Sequence, residues 1–111
     1  MIDIAPVYNG YPADYTINHV MGSDPDLEAL TAYARDVSIK IAGHVKEGMV
    51  VADVFHRAQE FIGKNPDYTL AYPPFISVMN GLWTIEPYIM YKDRAAKFEQ
   101  LVFIGKETVI L

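Results

Sequence analysis

The 111-residue sequence predicts an α+β domain, with strands first, two helices in the middle and strands at the end. Three observations predict it. Asn9-Gly10 lies between alternating residues, the pattern of a hairpin. Two apolar stripes at spacings of three and four follow, the pattern of helices. The last third of the chain is again strand-like.

The elements follow in order. The hairpin pairs residues 2–9 with 11–20, because a type I′ turn needs positive φ at both central positions and Asn-Gly supplies it. Tyr8 then faces Tyr11 and Ala5 faces Asp14. Asp24 is the expected N-cap of the first helix, with Pro25 at the first helical position. Leu27, Leu30, Ala34, Val37, Ile41 and Val45 form its apolar stripe, and it ends near Lys46-Glu47-Gly48. The second helix follows Met49, buries Val51, Val54, Phe55, Ala58, Phe61 and Ile62, and stops at Gly63-Lys64-Asn65-Pro66. Tyr68 to Tyr72 is a short strand and Leu82 to Tyr91 a long one. Phe98 to Ile104 and Thr108 to Leu111 form a terminal hairpin around Gly105-Lys106.

Composition limits the function. The chain reads as one domain, residues 1–111, without repeat or linker. Hydrophobic residues make up 51% and charged residues 21%, enough for a core. A net charge of −5 argues against nucleic acid as a partner and suits an acid cluster that awaits cations. The absence of cysteine excludes disulfides, thiolate metal sites and a Cys nucleophile, and fits a cytoplasmic setting. No apolar run approaches ~18 residues, so no membrane partner is expected, and no leader pattern is read. The chain opens inside a strand, which suggests a segment of a longer parent or a truncated paralogue.

Four acids carry the chemistry. Asp3 and Asp14 share one face of the hairpin as diagonal neighbours, roughly 7–8 Å apart at the backbone. Two such carboxylates repel unless a cation or proton lies between them. The plain alternative is two solvated acids on a polar face. Glu86 and Glu99 each interrupt an otherwise apolar run, where a carboxylate is costly unless paired, hydrogen-bonded or metal-bound. Alternation places Glu99 with Leu101 and Phe103, a face that reads as buried. Four acids on four strands of one sheet point to a shared site.

These residues carry a resemblance. Ile2-Asp3 through Asp14-Tyr15-Thr16, Val45-Lys-Glu-Gly-Met-Val, Tyr72-Pro73-Pro74-Phe75-Ile76-Ser77, Gly81-Leu-Trp-Thr-Ile-Glu86-Pro87 and Lys97-Phe-Glu99-Gln-Leu-Val resemble, in order, motifs of the creatinase/aminopeptidase family. These are the "pita-bread" metallohydrolases, which include Xaa-Pro aminopeptidase and prolidase. The resemblance implies half of a pita-bread fold, a curved antiparallel sheet covered on one face by two helices. It makes Asp3, Asp14, Glu86 and Glu99 metal ligands and Glu86 the proton acceptor. It also implies two divalent ions that activate a water, and a small peptide or amide substrate. An all-oxygen site favours hard ions, with Mn²⁺ the first choice. Thr16 matches a hydrogen-bonding neighbour of the metal acids.

The departures are as specific. The family's two histidines fall on Lys64 and Ala71. His19, His44 and His56 lie elsewhere and read as surface or packing residues. The link from Ser77 to Gly81 is short, and the first half of the family fold has no counterpart. Three readings therefore stand. The chain is an impaired Xaa-Pro or creatinase-type metallohydrolase, a non-catalytic relative kept for binding or dimerisation, or an unrelated α+β binding domain. A homodimer would cover the sheet surface that the missing half leaves bare.

Overall fold

A computed structural model describes residues 1–12, 15–63, 65–71 and 81–111. Asp14, Lys64, Tyr72 and the stretch from Pro73 through Ser77 lie outside the described residues, so the expectations placed on them stay as stated.

The first hairpin forms as its turn chemistry requires. Its strands are β1 (Ile2–Ile4), β2 (Val7–Tyr8), β3 (Tyr11–Pro12) and β4 (Tyr15–Ile17). Asn9 and Gly10 take φ of 50° and 82°, and Tyr8 pairs with Tyr11. Asp3 pairs with Thr16 in the same register. The hairpin ladder ends at Ile17 rather than at residue 20.

Helix α1 (Pro25–Ala42) starts where the cap predicts. Asp24 accepts a hydrogen bond from Leu27 N–H at 3.1 Å, and Pro25 follows it. The Leu27 N–H, and after it the Arg94 guanidinium, hold the Asp24 carboxyl below the ordinary aspartate range. The helix ends at Gly43, earlier than expected, with the Gly43 N–H bonded to Ile39 O. Val45 is buried all the same, so its place in the apolar stripe reflects packing rather than helix. Helix α2 (Val51–Ile62) buries Val54, Ala58 and Ile62, whereas Val51 is exposed.

The C-terminal strands depart most from expectation. They are β5 (Thr69–Leu70), β6 (Gly81–Ile85), β7 (Tyr88–Tyr91), β8 (Arg94–Lys97), β9 (Gln100–Ile104) and β10 (Val109–Ile110). The long strand expected over 82–91 breaks at Glu86-Pro87, because proline has no N–H for a ladder. Strand β8 was not expected: Arg-Ala-Ala-Lys has little strand propensity. Its turn sets Lys92 at φ 54°, a conformation that lysine does not announce.

All pairings among the described residues are antiparallel, in the orders β1-β4, β2-β3, β5-β7-β8 and β10-β9-β6. Ile85 pairs with Gln100 and Tyr88 with Lys97, so one register runs across the interruption and sets Glu86 level with Glu99. Helix α1 packs on β6, β7, β8 and β9, and α2 packs on α1 and β5. Leu30, Val37 and Ile41 meet Ile85, Ile89, Val102 and Ile104 there in one core. Among the described residues, no helix covers the opposite face of β6, β9 and β10. Leu82, Leu101, Phe103, Val109 and Leu111 lie on it, each 40–60% exposed. This corrects the expectation that the Leu101 and Phe103 face is buried: the helices cover only the other side. Among the described residues no helix is long and apolar enough to cross a membrane.

Candidate functional site

Three of the four acids singled out from the sequence come together. The fourth, Asp14, is outside the described residues. Asp3 reaches in from β1, Glu86 from the link between β6 and β7, and Glu99 from the link between β8 and β9. All three meet one cation. Lys97 Nζ donates to Asp3 Oδ2 at 2.9 Å, to Glu86 Oε2 at 2.9 Å and to Glu99 Oε1 at 3.4 Å. Side-chain exposure falls from 49% at Asp3 to 15% at Glu86 and 1% at Glu99, while Lys97 itself is 7% exposed. The cluster is therefore a narrow well, with Asp3 at its mouth and Glu99 at its floor.

Local structure explains the convergence. Asp3 shares the inner side of the hairpin with buried Thr16, and Ile2 and Ile4 point outward into solvent. Asp3 is thus half-exposed and at the same time bonded to Lys97. Glu86 and Glu99 sit where both strands leave the ladder, which frees their side chains from cross-strand packing. Asn18 Nδ2 donates to the Lys97 carbonyl and ties the end of the hairpin to β8. Thr16 Oγ1 is buried beside Asp3 and has no hydrogen-bond partner among the described residues.

The electrostatics keep Lys97 charged. Burial pushes its ammonium down, but the bonds to Glu86 and Asp3 and the nearby Glu99 charge push it up. The carboxylates win, and its pKa lies above the ordinary lysine value. Sequence reasoning missed this residue. The signal was present: Lys97 lies two positions before Glu99, on the same side of an alternating segment.

Other expected positions fall away from the cluster. His19, His44 and His56 are exposed, and His44 bonds the Lys40 carbonyl at 2.8 Å. Ala71 lies at the end of β5 with its N–H bonded to Tyr88 O, and its methyl group can ligate nothing. Trp83 and Tyr91 pack against the core. A groove of about 510 Å³ runs along the bare face, lined by Tyr15, Thr84, Phe98, Glu99, Leu101 and Leu111.

The described fold is a mixed α+β domain with acids gathered from a hairpin and two strand breaks. The family model of metallopeptidase family M24 matches residues 1–104, and the chain belongs to that family. Its mixed α+β architecture is consistent with part of a pita-bread domain. No curated protein and no solved structure matches the chain.

Members of the family generally bind divalent metal ions. The described residues do not fit such a centre. An ammonium holds the point on which Asp3, Glu86 and Glu99 converge. Among the described residues no group of three or more His, Asp or Glu is arranged to hold a metal ion.

Proposed function

We propose that this chain is a Xaa-Pro peptidase or creatinase-type domain by descent, with impaired hydrolysis. The observation that carries the reading is the junction of Asp3, Glu86 and Glu99 at Lys97 Nζ. Three of the four acids that match the family's centre meet at one point, yet a protonated amine fills that point. The position that matches one family histidine is Ala71, whose side chain has no donor to stabilise a developing oxyanion. Glu86 remains the residue suited to accept a proton, but here it is an acceptor for Lys97. Assay of the chain with Xaa-Pro peptides and added Mn²⁺ is expected to show turnover at least ~10²–10³-fold below an ordinary enzyme rate of about 10 s⁻¹. Mn²⁺-dependent turnover near that ordinary rate, lost in Glu99→Gln, would refute the reading.

A second reading, a module for dimerisation, is favoured by the bare face. Monomers rarely expose apolar patches larger than a few hundred Å². Leu82, Phe103 and Val109 form one row across the strands, and Leu101 and Leu111 a second. A two-fold contact sets the same patch against itself, and apolar rows need no opposite charge to match. Light scattering is expected to give the mass of a dimer, and Phe103→Asp that of a monomer. A wild type that is monodisperse and monomeric would sink this reading.

A further inference from the structure

Lys97 carries more than the impairment. An ammonium has three protons to donate. Each is matched here to a different carboxylate, from three separate segments of the chain. The acids that need a cation are the groups that surround the ammonium. Oxygen ligands approach a divalent ion to about 2.0–2.6 Å. With Nζ at 2.9 Å from both Asp3 and Glu86, an ion bound to those same oxygens would stand against a positive charge at near-contact distance.

We infer that Lys97 is a built-in counter-ion that takes the place of a divalent metal at the point where Asp3, Glu86 and Glu99 converge, so that the chain holds this cluster together without metal. The inference rests on the reading of the chain as an impaired peptidase-type domain and assigns the cluster a structural use. It joins the hairpin, through Asp3, to the two strand breaks that carry Glu86 and Glu99.

The test is a calorimetric titration of the chelator-stripped full chain with Mn²⁺, beside thermal unfolding with and without chelator. Wild type, Lys97→Arg and Lys97→Met are compared. Wild type and Lys97→Arg are expected to show no stoichiometric uptake and a Tm that chelator does not move. Lys97→Met is expected to unfold at lower temperature and to regain roughly 10 °C with Mn²⁺ near 100 times its Kd. Near-stoichiometric Mn²⁺ binding by the wild type overturns the inference, as does a wild-type Tm that falls with chelator. A folded Lys97→Met chain that takes up no Mn²⁺ overturns it too, since removing the ammonium then opens nothing. If Lys97→Met does not fold, the wild-type and Lys97→Arg titrations decide alone. Mn²⁺ binding without hydrolysis overturns this inference and spares the proposed function, whereas binding with ordinary turnover overturns both.

Discussion

Lys97→Met is expected to lower the unfolding free energy by about 3–5 kcal/mol, the range for removing one partner from a buried ionic group. Methionine fills much of the space of the lysine stem, so the loss measures charge rather than volume. What remains is Glu99 at the floor of the well and Glu86 above it, both largely out of water. A small domain has only about 5–15 kcal/mol to lose. Urea unfolding reads the effect as a lower midpoint at constant slope. Adding Glu99→Gln to Lys97→Met is expected to restore part of the loss, because it neutralises the most buried of the stranded acids. A loss below about 1 kcal/mol would place the cluster among solvent-screened surface pairs and contradict its burial.

Ile85→Ala is expected to cost about 2–5 kcal/mol, the range for large-to-small changes in a packed core. Ile85 is fully buried where α1 lies on β6. Its carbonyl accepts a hydrogen bond from Ser38 Oγ at 3.0 Å, which pins the helix to the strand one residue before Glu86. The cavity would thus open in the core under α1. Thermal unfolding of Ile85→Ala against Ser38→Ala separates the two contributions. The serine variant is expected to lose about 1 kcal/mol, the net worth of one hydrogen bond. Equal losses would show that the hydrogen bond, and not the isoleucine packing, fixes the helix on the sheet.

Much of this architecture was legible in the sequence because its signals are local. Asn9-Gly10 specifies a turn through its own backbone preferences, and Asp24-Pro25 specifies a helix start in the same way. The acids Glu86 and Glu99 were legible because a carboxylate inside an apolar run demands a partner. What escaped depended on partners distant in the chain. The end of α1 at Gly43 was hidden by Val45, which continues the apolar stripe by packing alone. Strand β8 was hidden because alanine and lysine form strands only when a neighbour such as β7 supplies the ladder. The bare face of β9 was misread because Leu101 and Phe103 look like core residues, and only the placement of the helices decides which side of a strand is covered. Lys97 was passed over because its meaning comes from Asp3, at the other end of the chain.

The paired breaks at Glu86-Pro87 and Phe98-Glu99 have a mechanical meaning. Both strands leave the ladder at the same level, so a seam crosses the sheet between β6-β9 and β7-β8. Elsewhere the strands are stitched by amides, which act only between immediate neighbours and along fixed directions. At the seam a single flexible side chain grips both margins and the hairpin beyond them. Cohesion along that line is ionic and radial, and it tolerates small changes of angle that an amide ladder would not.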